Sequence, residues 1–294
     1  MRTAVVLMAY GSPERAEDVP AYLADIRGGR PVRPEAVAEL AERYRRIGGR
    51  SPLNEITEAQ AAALAREVSM PVYVGMKHWR PRIAEAVRRA GADGAERIVG
   101  IVLAPHYSRI SIGGYRERLE EALPDGVELA FVESWHGHEP FLALLADRVR
   151  GSDAHVVFTA HSLPERILAE GDPYRDQLLE TSRLVAERAG LERWSFAFQS
   201  ESSTGEPWLG PDLLAELEML HAKGVEKALV APVGFVADHL EILWDIDVEA
   251  REKAAELGLE LERIALPNDD PAFVRALAEL VRQASATPAR IGAR

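Results

Sequence analysis

The sequence contains no cysteine, and this absence excludes several kinds of site at once. Disulfide bonds, thiolate zinc sites and cysteine-ligated iron–sulfur clusters all need thiols. Long apolar runs are missing too, since no run of about 18 apolar residues occurs to span a membrane. The apolar segment 3–9 is followed by Gly11, Ser12 and Pro13 without a cleavage-like site. We therefore expect a cytoplasmic protein without membrane insertion.

Basic residues are scarce relative to acidic ones. The chain has 35 Lys and Arg against 47 Asp and Glu, a formal net charge of −12. Nucleic acids and anionic membranes attract basic patches, so we expect neither as a partner. Glycine signatures of nucleotide binding are also absent, because neither G-x-G-x-x-G after a strand nor G-x-x-x-x-G-K-[ST] occurs.

What the sequence does contain is an alternation of short apolar segments with helical patterns. With 294 residues, 47% of them hydrophobic, it is long enough for two ordinary α/β halves. Strands that alternate with helices of ten or more residues predict βαβ crossovers and parallel sheets. The predicted strands are 3–9, 72–76, 98–104, 128–133, 155–160, 195–199, 228–233 and 259–265.

An internal repeat indicates two similar halves. The segment 9–13 (AYGSP) has a counterpart in 160–164 (AHSLP), and 103–106 (LAPH) has one in 230–233 (VAPV). The sequence therefore predicts two similar halves, each a four-stranded parallel sheet flanked by helices. We place the halves at 1–150 and 151–294.

The first half carries an Arg-rich insertion, 12–54, that lengthens the connection between its first two strands. Insertions of this size in α/β units usually cap a site, and Arg suits bidentate contacts with carboxylates. The alternative is a surface helix over 34–47 with solvated arginines, and the pattern alone leaves both open. The arginines are Arg27, Arg30, Arg33, Arg43, Arg45, Arg46 and Arg50.

The segment 228–250 joins a buried strand to a helix with a line of acids. Asp238 stands three residues before Glu241, which predicts an N-cap and a helix start. Glu241, Asp245 and Glu249 follow at i, i+4 and i+8, so their carboxylates form a stripe about 12 Å long. A solvated acidic face is the alternative. We favour a path for cations or protons, because open α/β sheets bind ligands at the carboxyl ends of their strands.

His161 follows the predicted strand 155–160. Most histidines at strand ends are simply hydrogen-bonded, but His161, Tyr10 and the Glu241 helix all lie at carboxyl ends of strands. A histidine facing a carboxylate is a common acid–base or metal-binding pair. His106 and the pair Lys77-His78 end two further strands, and we interpret them as structural.

Seven ordered blocks, taken together, resemble ferrochelatases over nearly the whole chain. The similarity is closest to the coproporphyrin ferrochelatases of Gram-positive-type bacteria. The blocks are 8–13 (MAYGSP), 47–53 (IGGRSPL), 103–108 (LAPHYS), 160–165 (AHSLPE), 199–200 (QS), 208–211 (WLGP) and 232–241 (PVGFVADHLE).

The resemblance implies a two-lobed chelatase fold of two Rossmann-like halves, with the active-site cleft between them, that inserts Fe²⁺ into a porphyrin held in that cleft. It assigns His161 and Glu241 to the catalytic and metal-binding pair on one face of the macrocycle, and Tyr10 to the opposite face near the metal. Asp245 and Glu249 would then pass protons outward or cations inward. Matching positions imply substrate contacts by Arg27, Arg43, Tyr44, Ser51 and Tyr115. Gly28 departs from close relatives, which commonly have a second Arg there.

Three features favour coproporphyrin III, with four carboxylates, as the substrate. The segment 12–19 (SPERAEDV) lacks the apolar lip of relatives that use protoporphyrin IX at membranes. The motif around Tyr10 also resembles the coproporphyrin branch, and Arg27, Arg30 and Arg43 offer partners for propionates. The alternatives are a protoporphyrin IX ferrochelatase giving protohaem, and a non-catalytic tetrapyrrole carrier.

The same reading sets the expected partners. We expect Fe²⁺ and the porphyrin as substrates, with no permanently bound cofactor and no iron–sulfur cluster. We further expect a monomer that makes transient contacts with neighbouring enzymes of haem biosynthesis.

Overall fold

Two four-stranded parallel sheets organise the residues that the computed structural model describes, 1–202 and 205–287. The first sheet has the order β2-β1-β3-β4 and the second the order β6-β5-β7-β8. The two orders are equivalent, which confirms the predicted α/β class and the predicted likeness of the halves. The strands are β1 (Thr3–Ala9), β2 (Val72–Met76), β3 (Arg97–Val102), β4 (Glu128–Val132), β5 (His155–His161), β6 (Trp194–Gln199), β7 (Lys227–Ala231) and β8 (Glu260–Arg263).

Helices connect these strands, as parallel pairing requires. The α-helices are α1 (Val19–Ile26), α2 (Pro34–Arg46), α3 (Leu53–Val68), α4 (Ile83–Ala92), α5 (Gly114–Ala122), α6 (Glu139–Val149), α7 (Arg166–Ala169), α8 (Tyr174–Ala189), α9 (Leu213–Ala222), α10 (Arg251–Leu257) and α11 (Pro271–Ala286). A 3₁₀ turn covers Ala16–Asp18, and two π-helices cover Arg109–Gly113 and Ile242–Ala250.

The central strands are buried on both faces, which explains their continuous apolar sequences. Val5, Val6 and Leu7 of β1 are fully buried, as are Val157 and Phe158 of β5. Several strands are shorter than predicted. The strand β7 ends at Ala231 because Pro232, which follows, has no N–H for the ladder.

The chain divides into compact units differently from the predicted 1–150 and 151–294. Among the described residues, one unit comprises 1–135, 237–240 and 268–287, and the other comprises 136–202, 205–236 and 241–267. The helix α6 packs on α8 in the second unit, and α11 packs on α3 in the first. The sequence does not reveal in which unit α6 and α11 pack. The amphipathic pattern of a helix such as α11 indicates only that one face is buried, not which element covers it.

Asp238 does not cap the helix that follows it, contrary to the sequence prediction. Its carboxylate accepts a 2.8 Å hydrogen bond from Asn268 Nδ2, and its N–H donates to Asn268 Oδ1 at 2.8 Å. The regular π-helix begins four residues later, at Ile242. A tertiary hydrogen-bonding partner has therefore replaced the local cap.

Candidate functional site

His161 and Glu241 form an ion pair in the second unit. His161 is the last residue of β5, and Glu241 immediately precedes the π-helix Ile242–Ala250. The distance from His161 Nδ1 to Glu241 Oε2 is 3.2 Å, and the two side chains are 30% and 36% exposed. The structure thus brings together the two residues that the sequence singled out, and leaves both accessible.

The environment of His161 favours its charged form. Burial alone would lower the pKa of His161, but the Glu241 carboxylate and the more distant Asp245 raise it above its usual value of 6.5. The backbone carbonyl of His161 accepts a 2.9 Å hydrogen bond from Tyr174 Oη, and the Trp208 ring lies edge-on with centroids 6.4 Å apart. His161 is therefore a stronger proton acceptor than a solvated imidazole, held by fixed neighbours.

Asp245 is the buried member of the acidic stripe, with 7% of its surface exposed. Its Oδ2 accepts hydrogen bonds from Ser200 Oγ and, at 3.3 Å, from Gln199 Nε2. Burial and the nearby Glu241 raise the pKa of Asp245 to about 6, although the two hydrogen bonds by themselves would lower it. Sequence reasoning gave Gln199 and Ser200 no role beyond a motif match, although Gln199 is a polar end to an apolar strand.

Asp245 and Glu249 lie on a π-helix, which Glu241 immediately precedes, and not on the predicted α-helix. Asp247, on the same element, is not part of the stripe, because its carboxylate is held by Arg263 at 3.1 and 2.8 Å. Glu249 is partly exposed. In 1–202 and 205–287, no three His, Cys, Asp or Glu side chains converge closely enough to hold a metal ion.

The first unit contains a second cluster around Tyr10. Tyr10 follows β1, is 40% exposed, and lies 4.6 Å from the His78 ring between centroids. His78 Nδ1 is 2.8 Å from Asp25 Oδ2, and Arg82 binds the other oxygen of Asp25 at 3.0 Å. Burial lowers the pKa of His78 to about 4, so the ring is neutral at pH 7 and its Nδ1–H donates to Asp25.

Lys77, which the sequence analysis interpreted as structural, is embedded in this first-unit cluster. Its ammonium donates to the Ser111 carbonyl at 3.1 Å and lies 4.7 Å from the centre of the Tyr115 ring. Burial lowers the pKa of Lys77 to about 8. A pKa of about 8 lets Lys77 exchange a proton close to neutral pH, whereas His78, with a pKa of about 4, stays neutral there. The interpretation of both residues as structural stays a prediction.

The predicted substrate-binding residues fall into exposed and buried groups. Arg27 and Arg30 are exposed at the end of α1, where Arg30 Nε donates to the Arg27 carbonyl at 2.9 Å. Arg43 pairs with Glu39 on α2 at 2.8 Å. Three others are buried: Tyr44, whose hydroxyl is 2.8 Å from Ser12 Oγ, together with Ser51 and Tyr115. Their contacts with a porphyrin stay a prediction.

Comparison with known proteins decides the family. The ferrochelatase family model matches residues 2–285. The chain is 46% identical to a ferrochelatase of Herpetosiphon aurantiacus, covering 95% of this chain and 98% of that protein. The chain belongs to the ferrochelatase family. It is also 41% identical to a coproporphyrin III ferrochelatase of Geobacillus thermodenitrificans, over 94% of each chain.

Solved structures show the same fold at low sequence identity. SirB from Bacillus subtilis with Fe³⁺ superposes with a TM-score of 0.62 at 14% identity, covering 97% of this chain and 96% of that one. CbiX, described as the terminal enzyme of sirohaem biosynthesis in denitrifying bacteria, gives a TM-score of 0.55 at 15% identity, covering 97% and 100%. As a ferrochelatase the protein is a lyase that inserts iron into a porphyrin. Within the described residues, no helix is long and apolar enough to cross a membrane.

Proposed function

We propose that this ferrochelatase inserts Fe²⁺ into coproporphyrin III to give coprohaem. The observation that carries the substrate assignment is the surface of the insertion 12–54. Residues 14–17 are exposed and include Glu14, Arg15 and Glu17. The large exposed hydrophobic side chains of the described residues are Met1, Tyr10, Ile110, Leu179 and Met219, and none lies in 12–54. This region therefore offers no large, fully exposed hydrophobic side chain to a membrane, which favours a polar porphyrin.

Charge supports the same substrate. Coproporphyrin III carries four carboxylates and protoporphyrin IX two, and exposed arginines bind carboxylates through paired hydrogen bonds. Arg27 and Arg30 supply such groups at the end of α1. Gly28 adds no cation between these two arginines. The 41% identical Geobacillus relative bears the name of a coproporphyrin III enzyme.

The chemistry of insertion assigns roles to the second unit. A porphyrin must lose two pyrrole protons before Fe²⁺ can bind its four nitrogens, and distortion of the ring exposes their lone pairs. His161 accepts a proton, and Glu241 stabilises the imidazolium that results. Asp245 and Glu249 then pass protons outward or hydrated cations inward in steps.

A stepwise path suits the spacing of the stripe. Its carboxylates are spread over two turns of helix, whereas hard cations need oxygen ligands at roughly 2.0–2.6 Å. Asp245, with a pKa near 6, is poised to exchange a proton around neutral pH. On this path His161 and Glu241 contact the reacting porphyrin and metal, and Asp245 is the next group along the stripe.

The substrate assignment is tested by comparing kcat/KM for coproporphyrin III and protoporphyrin IX, with each porphyrin verified as monomeric by its spectrum. We expect coproporphyrin III to be preferred, and replacement of Arg27 by Gln to lower that preference. Arg33→Gln is the matched control, because Arg33 is an exposed residue of the same insertion without an assigned contact. A clear preference of the wild-type protein for protoporphyrin IX would overturn the proposal.

A further inference from the structure

Ser200 has a backbone conformation that serine rarely adopts. Its φ is +66°, in the left-handed region, which is unfavourable for a residue that carries a side chain. It follows the last residue of β6, Gln199. Ser69, which shares this region with φ +54°, is the C-cap of α3, where left-handed residues are common. Ser200 ends a strand and needs a different explanation.

The left-handed backbone changes where the Ser200 side chain points. In an extended strand successive side chains point to opposite faces, so Gln199 and Ser200 would diverge. Instead both donate to one atom, Asp245 Oδ2: Ser200 through Oγ and Gln199 through Nε2 at 3.3 Å. The unusual φ is therefore what allows two consecutive residues to hold the same carboxylate.

The orientation of Gln199 is itself fixed. Thr159 Oγ1 donates to Gln199 Oε1 at 2.9 Å, which directs the amide nitrogen towards Asp245. The same nitrogen lies 3.4 Å from the backbone carbonyl of Glu241. The end of β6 thus holds the helix at Glu241 and at Asp245, one turn apart.

We propose that Ser200 is a positioning residue for metal insertion. Its hydroxyl orients the Asp245 carboxylate for the transfer of protons or cations to and from Glu241. The inference rests on the proposed function of the acidic stripe and adds a residue to which no role was assigned. Strain at a functional site persists only when surrounding contacts stabilise it, and here the stabilising contact is the hydrogen bond to Asp245.

Two substitutions separate the hydroxyl of Ser200 from its backbone. Ser200→Ala removes the donor and keeps the strain, whereas Ser200→Gly removes the donor and relieves the strain. If the hydroxyl positions Asp245, both variants lower kcat/KM for Fe²⁺ about ten-fold, mainly through KM, because a hydrogen bond to a charged group is lost. Their KM for the porphyrin stays unchanged. The matched controls are Ser69→Ala and Ser69→Gly, for which we expect wild-type kinetics.

A double-mutant cycle with Asp245→Asn gives the decisive readout. If Ser200 acts through Asp245, Ser200→Gly causes no further loss in the Asp245→Asn background. Ser200→Gly relieves strain and is expected to fold, as thermal melting will verify. A fully additive loss, or Ser200→Gly at the wild-type rate, would overturn the inference. These outcomes, in a wild-type protein that inserts iron, would overturn only the role of Ser200. A wild-type protein that does not insert iron would overturn the proposed function together with this inference.

Discussion

At the scale of single residues, the proposed mechanism depends on how burial and nearby charge together set the pKa of His161. Burial favours the neutral imidazole, whereas Glu241 at 3.2 Å favours the imidazolium, and the charge prevails, raising the pKa of His161. A base of raised pKa accepts a pyrrole proton more readily than free histidine does. The partner carboxylate then stabilises the charge that His161 has gained.

The first prediction concerns turnover by variants of this pair. His161→Ala and Glu241→Gln should each abolish iron insertion and leave porphyrin binding within a few fold, since they remove interactions needed mainly in the transition state. The assay is anaerobic turnover alongside porphyrin binding by absorbance. His155→Gln is the matched control, because His155 lies at the opposite end of β5 and contacts Ser195. Near-wild-type turnover in either variant would refute the assignment.

The second prediction concerns the titration of the same histidine. The pKa of His161 is raised, so its imidazole should lose its proton above pH 6.5, and Glu241→Gln should move that titration to lower pH. Burial lowers the pKa of His155, so this residue should titrate below pH 6.5 in both proteins. Imidazole chemical shifts in NMR measure both. Titration of His161 below pH 6.5 in the wild-type protein would contradict the account.

At the scale of elements, the π-helix Ile242–Ala250 shapes the site. Hydrogen bonds from i to i+5 wind the chain less per residue than those of an α-helix, and π-helical turns are rare and frequently lie at functional sites. Its apolar residues Ile242, Ile246 and Ala250 are fully buried at i, i+4 and i+8. The ion pair of Asp247 with Arg263 fixes the helix to β8 on a different side from the stripe.

The third prediction is that this ion pair stabilises the π-helix. Arg263→Met should lower the free energy of unfolding by about 1–3 kcal/mol, because it leaves a partly buried carboxylate without its two-pronged partner. Denaturant unfolding measures the change. Arg251→Met is the control, since its 3.5 Å contact with Asp247 is largely exposed and exposed pairs contribute about 0–1 kcal/mol. Equal losses in the two variants would contradict a specific role for Arg263.

Sequence patterns predicted the acids of this element but not its winding. Spacing at i, i+4 and i+8 puts Glu241, Asp245 and Glu249 near one face in either kind of helix. The start of the helix was wrong because Asn268, thirty residues along the chain from Asp238, binds the carboxylate that a local rule assigned to capping. Capping rules consider only residues within a few positions of the helix start, so they do not include a partner so distant in the sequence.

At the scale of the whole molecule, the repeated sheet order shows how far sequence can lead. The alternation of strands and helices, together with the similarity of segments 9–13 (AYGSP) and 160–164 (AHSLP), correctly predicted two equivalent parallel sheets. The allocation of α6 and α11 to the units was not predictable, because it depends on which apolar face each helix covers. The predicted cleft between the halves stays a prediction.

The fourth prediction concerns the attachment of α11. Arg97, on β3, pairs with Glu128 at 3.2 Å and donates to the carbonyls of Ser285 and Thr287, with 6% of its side chain exposed. Arg97→Met should cost about 3 kcal/mol of unfolding free energy, since it leaves buried acceptors and a carboxylate unpaired.

The matched control for Arg97 lies on α11 itself. Arg282 makes an exposed pair with Glu67 at 3.2 Å, so Arg282→Met should cost less than about 1 kcal/mol. Thermal melting of both variants measures the difference. A loss no larger in Arg97→Met than in Arg282→Met would show that this buried contact does not secure the helix.

The most direct test of the central claim is to mix the pure protein anaerobically with Fe²⁺ and metal-free coproporphyrin III and follow the Soret band. A ferrochelatase with this substrate converts the free-base spectrum to that of coprohaem over many turnovers, and the His161→Ala protein shows binding without conversion. A wild-type protein that shifts the band once, at the stoichiometry of binding, and never metallates the ring would be a tetrapyrrole carrier and would contradict the account.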